Sequence, residues 1–201
     1  MDEYEQKTSG NMNYPSKGTF NRLLFKTPLF WWRTGFGPLL SHPALGGGKM
    51  LAITTLGRVS GLPRHTMLSY AAAGGKEYVL SGWGSRSDWV KNILANPLVT
   101  VQVGRRGYTA QAYRVEDREE FTMVADEMFR TGGDSHFKPW LESYGVRYDR
   151  DDLVAKRDRV TVFGFQPVDD PGPPPLASDL RWIWLLLAAL VLAIWGAVAL
   201  F

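Results

Sequence analysis

The last twenty residues of the chain, Trp182–Phe201, contain no charged or strongly polar side chain and consist mainly of Leu, Ala, Val, Ile and Trp. At about 1.5 Å per residue, a helix of this length spans about 30 Å, the thickness of the hydrocarbon core of a bilayer. A core helix of a globular protein normally keeps a polar face, and this segment has none. The sequence therefore predicts a membrane-spanning helix over residues 181–201, with Trp182 and Trp184 at the lipid interface.

The remaining chain divides into three predicted parts. Residues 1–19 are polar and predicted to be disordered, residues 20–167 form a strand-rich domain, and residues 168–180 are a proline-rich extended linker. The polar, acidic start lacks the basic residues and early apolar run of a secretory signal, which predicts that the domain lies on the cytoplasmic side of the membrane. The segment Phe20–Leu40 is predicted to be amphipathic, and three positions are open for it: packed on the domain, lining a pocket, or on the membrane surface.

Composition excludes several classes of function. The net charge is only +3, and no basic stripe or nucleic-acid-binding motif is present, so no nucleic-acid partner is expected. The chain has no cysteine, which rules out disulfides, thiolate metal sites and cysteine nucleophiles. The three histidines are far apart and lack the spacing of metal ligands, so no metal site is predicted. The sequence also shows no paired carboxylates and no Ser-His-Asp set.

Strand-like segments separated by short turns dominate the central domain. Gly74-Gly75 predicts a hairpin turn, and Asp117 and Pro97 mark a helix start and a helix end. The predicted strands are 51–55, 65–73, 78–82, 98–103, 108–115 and 160–166, the predicted helices are 87–96 and 117–130, and 140–148 is irregular or briefly helical. Six closely spaced strands with few helices favour a small, mainly antiparallel barrel of the α+β class, with helices over its openings.

The stretch from Gly57 to Arg64 joins the first two predicted strands and carries most of the chemical information. Glycines allow tight turning and close approach of a ligand, and Arg58 and Arg64 bring two guanidinium groups near each other. Ser60 adds a hydroxyl, and backbone amides around Gly61 are suited to an anion-binding concavity. The pattern predicts a phosphate or carboxylate site, with a solvated basic turn as the alternative.

This stretch resembles the deazaflavin-dependent nitroreductase family, also called F420-dependent quinone reductases, in which a strand is followed by Gly-Arg-x-Ser-Gly-x-Pro-Arg and a second strand. The second element of the resemblance is a glycine-containing turn, Ser81–Gly84, leading into a helix that ends at Asn96-Pro97. The resemblance covers about residues 20–167 and implies a six-stranded antiparallel split β-barrel related to FMN-binding proteins. It also implies coenzyme F420 as the cofactor and, because such barrels are often dimers, a homodimer.

The resemblance implies a role for individual residues. The phosphate and acidic tail of the cofactor would be held by Arg58, Ser60, Gly61, Pro63 and Arg64. Thr66, Met67 and Leu68 would run beside the deazaflavin ring, Ser81, Gly82, Trp83 and Gly84 would contact it, and Trp89 and Asn92 would fix the helix at the site.

The expected activity is hydride transfer from reduced coenzyme F420 to a quinone or nitro-type acceptor at the membrane. Aromatic residues lie near the substrate in relatives, so Tyr144 and Tyr148 are the candidate catalytic residues, as hydrogen-bond or proton donors. Two alternatives remain open: the same barrel with FMN as its cofactor, and a non-enzymatic, membrane-tethered protein that binds a cofactor. The attachment to lipid makes a membrane quinone the preferred acceptor.

Overall fold

A six-stranded antiparallel sheet closes on itself to form the centre of the molecule. The computed structural model describes residues 27–37, 49–132 and 134–199. Its strands are β1 (Met50–Leu56), β2 (Pro63–Ala73), β3 (Lys76–Leu80), β4 (Leu98–Val103), β5 (Arg106–Arg114) and β6 (Val162–Pro167). They are hydrogen-bonded in the order β1-β2-β3-β6-β5-β4, and the barrel is closed by pairing of β1 with β4. The predicted six-stranded antiparallel barrel is confirmed.

Five α-helices accompany the strands in the described ranges. They are α1 (Asp88–Ala95), α2 (Arg118–Thr131), α3 (Asp134–Ser143), α4 (Arg150–Ala155) and α5 (Ile183–Ala199). As predicted, Asp117 caps α2, because its side chain accepts a hydrogen bond from the amide of Glu120 at 2.8 Å. The region predicted to be irregular or briefly helical contains the end of α3, followed by a turn with Gly145 at a φ of 67°.

Alternation along the strands fills the barrel. Leu51 and Ile53 point inward and are fully buried with the inward-facing residues of β3 to β6, while Ala52 points to the outer face. Helix α1 closes the barrel by packing Trp89, Val90 and Ile93 into the same interior cluster. Burial of each large apolar side chain contributes about 1.5–3 kcal/mol, so this interior holds α1 firmly in place.

A second apolar cluster lies on the other side of the sheet. Helices α2, α3 and α4 pack there through residues that include Phe121, Leu141 and Leu153, against Tyr78 and Ala71 of the sheet. Tyr78 also donates a hydrogen bond to Glu120 at 2.8 Å, and burial together with this carboxylate raises the pKa of Tyr78 to about 12. The three helices therefore form one layer over strands β2 and β3.

Two segments cover the outer face of β1, one that precedes the barrel in the sequence and one that follows it. A helical segment over 27–31, continued by a π-helical turn at Trp32–Phe36, places Trp32 against Ala52 and Met67. Leu176 packs into the same small cluster from the far end of the chain. Within the described part of the predicted amphipathic segment, Trp32 thus packs on the domain; residues 20–26 and 38–40 lie outside the described residues, as does the segment predicted to be disordered, 1–19.

The proline-rich segment 168–178, part of the predicted linker, is fastened to the barrel along its length. We call it the strap. The backbone amide and carbonyl of Leu176 both bond to the side-chain amide of Gln102, at 2.7 and 3.2 Å. Thr100 donates a 2.5 Å hydrogen bond to the carbonyl of Pro173, and the amide of Val168 donates to Thr109. The strap that connects the barrel to α5 is therefore hydrogen-bonded to the barrel at several positions.

The terminal helix is shorter than expected. Helix α5 runs over the 17 residues of Ile183–Ala199, which at about 1.5 Å per residue is about 26 Å, whereas crossing the hydrocarbon core takes about 20 residues. Among the described residues, no helix has both the length and the apolar character needed to cross a membrane. The predicted membrane-spanning helix over Trp182–Phe201 is therefore not supported by the described residues, which stop at Ala199.

Candidate functional site

The loop between β1 and β2 is a compact turn closed by its own backbone. The amide of Gly57 donates to the carbonyl of Leu62 at 2.9 Å, and the amide of Gly61 donates to the carbonyl of Gly57 at 2.7 Å. A Cβ at Gly57 would lie 2.8 Å from the hydroxyl oxygen of Ser60, so only glycine fits there without displacing that side chain. The sequence therefore builds a tight loop with a fixed shape before any ligand is considered.

Asn92 of α1 fastens this loop to the barrel. Its Oδ1 accepts hydrogen bonds from the backbone amide of Arg58 at 3.1 Å and from the Arg58 guanidinium at 3.2 Å. Its Nδ2 donates to the hydroxyl of Thr55 at 3.1 Å. Asn92 is 4% exposed, so its side-chain amide has lost its hydrogen bonds to water. The bonds to Arg58 and Thr55 replace them. Arg58 and Asn92 are 34 residues apart in sequence. The loop motif and the helix motif therefore meet at the Asn92 side chain.

Cationic groups line the exposed side of the loop. The guanidinium of Arg64 donates to the hydroxyl of Ser60 at 3.3 Å, and Arg58 forms a 3.3 Å ion pair with Asp88 at the start of α1. The Asp88 carboxylate is 79% exposed, so the pair contributes little and competes weakly with an anionic ligand. Gly61, at a φ of 65°, has no atom within 4 Å of the position of a Cβ. Two guanidinium groups, a hydroxyl and open space above a glycine fit an anionic ligand.

The residues predicted beside a cofactor ring do not share one face of β2. Met67 pairs with Ala52 and packs on the outer face beneath Trp32, whereas Leu68 packs toward the barrel interior. Thr66 pairs with the inward-pointing Ile53, so it alternates with Met67 in the same way. The three side chains therefore lie on two faces of the strand, and their position beside the cofactor ring stays a prediction. Pro63 is simply the first residue of β2, opposite Leu56.

The second motif forms a tight turn leading into α1. The Ser81 hydroxyl lies 2.9 Å from the carbonyl of Gly84 and 2.8 Å from the hydroxyl of Ser87, and all three residues are buried. Ser87 is the first non-helical residue before α1, but its side chain bonds to Ser81 rather than capping the helix. Gly82 and Trp83 are half-buried, and the turn is helical over Gly84–Arg86. Ser81 is thus an internal brace, and Gly82 and Trp83 are the residues presented outward.

Trp89 serves as a core residue. It is 7% exposed, and its ring meets Phe163 edge-to-face at 5.7 Å within the barrel interior. It positions α1 by packing, and Asn92 provides the polar contact between the helix and the loop.

The candidate catalytic tyrosines occupy different positions. Tyr144 is 1% exposed, and its hydroxyl donates a 3.2 Å hydrogen bond to the carbonyl of Ser81. Tyr144 thus supports the Ser81 turn from inside, and its role as a catalytic residue stays a prediction. Tyr148 is half-buried, with its ring 5.1 Å from that of Phe129 and 6.1 Å from that of Phe137.

Sequence reasoning assigned no binding role to Trp140 of α3. Its ring stacks on Phe137 at 5.9 Å and tilts against Tyr144 at 4.8 Å. Its indole nitrogen is the one buried side-chain polar atom without a partner among the described residues, and it lies 4.0 Å from the position of a Cβ at Gly82. A buried donor without a partner carries a desolvation penalty. A hydrogen-bond acceptor on a ligand next to Gly82 would remove that penalty. The sequence signal for this tryptophan is its position close to Tyr144 and Tyr148, in the region where the resemblance places aromatic residues near the substrate.

Comparison with protein families gives a match over the region that contains both motifs. Residues 41–130 match the model of the family described as F420H(2)-dependent quinone reductase. The matched region runs through β1 to β5 and most of α2, and so includes Arg58, Arg64 and Asn92. No curated protein matches the chain.

Several solved structures show weaker similarity. An F420-H2 dependent reductase, FDR-A, is 22% identical over 58% of this chain and 93% of that chain, with a TM-score of 0.37. The heme storage protein HutZ from Vibrio cholerae is 18% identical over 60% of this chain and 82% of its own, with a TM-score of 0.43. A conserved hypothetical protein from Mycobacterium tuberculosis, Rv2991, is 17% identical over 59% and 72%, with a TM-score of 0.39. At these scores the structural similarities assign no function, and the assignment comes from the family match.

The family match agrees with the chemistry of the loop. It confirms the prediction of an oxidoreductase and of coenzyme F420 as its cofactor, and the cationic loop suits that cofactor's phosphate and acidic tail. Residues 41–130, slightly under half of the chain, are similar to the F420H(2)-dependent quinone reductases, the family that the sequence motifs resemble.

Proposed function

We propose that the protein transfers a hydride from reduced coenzyme F420 to a quinone or a related nitro-type acceptor at a membrane. One observation carries the proposal: within the family-matched region, Arg58, Ser60 and Arg64 lie on the same tight loop as the open Gly61, and Asn92 fastens that loop to the barrel. A fixed pair of guanidinium groups is suited to a phosphate or carboxylate, because charge-assisted bonds are about twice as strong as neutral ones.

In this proposal the loop holds the anionic tail of the cofactor. Arg64 and Arg58 bind it by charge, Ser60 by its hydroxyl, and Gly61 by permitting close approach of the backbone. Asn92 keeps the Arg58 backbone in position, so its contribution is indirect. When bound, reduced coenzyme F420 supplies the hydride, and the protein supplies binding, orientation and electrostatics.

The turn at Ser81–Gly84 forms the second wall of the proposed site. Ser81 and Tyr144 hold the turn from inside, and Gly82 and Trp83 face outward. The indole N–H of Trp140 is the available donor behind Gly82. Tyr148 is the remaining candidate for a proton or hydrogen-bond donor to the reduced oxygen of the acceptor, since Tyr144 is committed to the core.

We further propose that the protein is attached to a membrane through α5, with the barrel on the cytoplasmic side. Support comes from the exposed surface of α5, where Leu185, Val191 and Leu192 are 74, 63 and 67% exposed. Attachment would concentrate the enzyme beside a lipid-soluble acceptor, which favours a quinone over a water-soluble nitro compound. Accessibility of the barrel to protease in sealed, oriented vesicles tests the side, and the mass of the detergent-solubilised protein tests the predicted homodimer.

The deciding experiment is titration of the purified protein with coenzyme F420 and, separately, with FMN. The Arg58→Ala/Arg64→Ala variant should bind coenzyme F420 about a hundredfold more weakly, since each charge-assisted bond contributes about 1.5–3 kcal/mol. The matched control is Arg105→Ala/Arg118→Ala, which removes two exposed arginines outside the loop. Arg105 lies in the turn between β4 and β5, and Arg118 is the first residue of α2.

Equal affinity of both double variants for coenzyme F420 would remove the loop as the binding site. Tight FMN binding without coenzyme F420 binding would replace the cofactor in the proposal. Turnover of menadione by the wild-type protein with reduced coenzyme F420 separates an enzyme from a protein that only binds the cofactor.

A further inference from the structure

The base of α5 is locked to the segment before the barrel. Arg33 forms a bidentate pair with Asp179, with N–O distances of 2.8 and 2.6 Å. The backbone amide of Leu180 donates to the carbonyl of Arg33 at 3.0 Å, and the indole N–H of Trp184 donates to the carbonyl of Thr34 at 2.8 Å. These contacts join residues about 150 positions apart, and they fix the direction in which α5 leaves the protein.

This junction is itself anchored to the barrel. Trp32, which immediately precedes Arg33, is 3% exposed and packs on Ala52 and Met67 of the outer sheet face. Its carbonyl also accepts a 3.3 Å hydrogen bond from the hydroxyl of Ser178 at the end of the strap. Helix α5 is therefore held by the barrel at its base rather than joined to it through a free linker.

Four aromatic residues form a continuous row at this junction. We call the row the collar: Phe30 meets Trp31 at 5.7 Å, Trp31 meets Phe36 at 5.9 Å, and Phe36 meets Trp184 at 5.0 Å, each edge-to-face. All four are exposed, by 45, 40, 36 and 38% respectively. Exposed aromatic side chains in contact with one another form an apolar patch of the kind that marks an interaction surface.

The helix above the collar indicates what covers it. The consecutive residues Leu185, Leu186 and Leu187 point in directions about 100° apart, yet they are 74, 60 and 45% exposed. A single protein groove or one second copy covers one face of a helix, whereas a lipid phase covers every face at once. A cationic side chain lies at the base of α5. The exposed Arg181 packs against Gly35, and the Nε atom of Arg181 is 3.2 Å from the position of a Cβ at Gly35.

We infer that the collar and α5 form one docking surface for a phospholipid bilayer, with the collar at the depth of the headgroups and α5 among the acyl chains. Aromatic residues favour that depth, and Arg181 is placed to meet lipid phosphates. This inference rests on the proposed membrane attachment and adds that residues 27–37 contribute to it. Because the junction is rigid, the barrel is held at one orientation, with the outer face of β1 and β2 nearest the lipid.

The absence of cysteine from the chain permits a clean test, because a single introduced cysteine carries the only label. The full chain is spin-labelled at Phe30→Cys on the collar, Leu190→Cys on α5, or Leu94→Cys, an exposed position on α1 away from the junction. Collision with a water-soluble nickel reagent and with oxygen is measured with and without vesicles containing phosphatidylglycerol. On adding vesicles, nickel collision should fall about threefold or more at Phe30, fall further at Leu190, and stay unchanged at Leu94.

The outcomes separate the two proposals. A Leu190 label in lipid with a Phe30 label still in water would overturn the collar but leave the attachment by α5 standing. If both labels remain in water, the collar and the attachment by α5 are both overturned. The same conclusion follows if the Leu190 label is shielded from nickel without vesicles and the protein has twice the mass of one chain. That result would assign the helix to a contact with a second copy. If Arg181→Gln leaves the preference for anionic over zwitterionic vesicles unchanged, the assignment of Arg181 to lipid phosphates is overturned.

Discussion

The Oδ1 atom of Asn92 accepts hydrogen bonds from both the backbone amide and the guanidinium of Arg58, at 3.1 and 3.2 Å. Through this one buried side chain, the helix that plugs the barrel sets the position of the loop proposed to hold the cofactor.

Asn92→Ala should therefore lower both stability and cofactor affinity. It leaves the Arg58 amide and the Thr55 hydroxyl without their partner, at a cost of about 1–3 kcal/mol in the free energy of unfolding. Urea unfolding and titration with coenzyme F420 measure the two effects. Leu94→Ala, an exposed position on the same helix, is the control and should change neither. A variant with unchanged affinity would show that Asn92 does not position the loop.

Gly61→Ala tests whether the open space above the loop is a binding surface. Alanine at a positive φ costs about 1–2 kcal/mol, and nothing lies close enough to clash with its methyl group. Gly104→Ala is a matched control, because Gly104 has a φ of 60° and is equally open but lies in the β4–β5 turn. We expect similar losses of stability in both, and a loss of affinity for coenzyme F420, of about tenfold or 1.4 kcal/mol, only in Gly61→Ala. Equal affinities would place the ligand elsewhere.

Tyr144→Phe should affect folding more than chemistry. It removes the hydrogen bond to the Ser81 carbonyl, at a cost of about 0.5–1.5 kcal/mol in the free energy of unfolding, but it retains the packing of the ring. Tyr148→Phe should instead change kcat if Tyr148 donates to the acceptor. Denaturation and steady-state kinetics of both variants decide the assignment; a large fall in kcat with full stability in Tyr144→Phe would restore Tyr144 as a catalytic residue.

Gln102→Ala should release the strap. Both hydrogen bonds to Leu176 are lost, at a cost of about 1–3 kcal/mol, and the segment becomes a better protease substrate because cleavage requires a detached backbone. Limited proteolysis followed by mass spectrometry should show faster cutting within residues 168–178. Gln111→Ala, at an exposed position of β5, serves as the control. Unchanged cleavage would mean that the other strap contacts suffice.

His65 should make stability fall on mild acidification. Its Nδ1 lies 2.9 Å from the hydroxyl of Thr54, and burial, with a smaller effect of the Arg33 charge, lowers the pKa of His65. Above the unfolded pKa of about 6.5 both states are neutral and stability is complete; below it the unfolded state binds the proton first, so stability falls as the pH approaches the folded pKa. The urea midpoint should therefore drop between pH 7.5 and 5.5, and His65→Gln should reduce that drop. An equal drop in the variant would assign it to other groups.

The barrel was predictable because its signals are local. Strand alternation, the Gly74-Gly75 turn and the Asp117 cap each depend on a few neighbouring residues, and the structure contains all three. The positions of Met67, Tyr144 and Trp140 were not predictable, since each depends on which distant segment covers the strand or helix that carries it. Met67 lies beneath Trp32, and the Tyr144 hydroxyl reaches a carbonyl 63 residues away.

The sequence by itself determined the six strands, the tight cationic loop and the family resemblance, because periodicity, glycine positions and a run of specific residues are properties of short segments. Only the tertiary structure decided that Asn92 fastens that loop, that the strap lies bonded to the barrel, and that residues 33–36 hold the base of α5. The physical reason is that hydrogen bonds and apolar burial between distant segments depend on how the closed barrel brings them together. The apolar C-terminal run was evident in the sequence, but its rigid attachment beside an aromatic row was not.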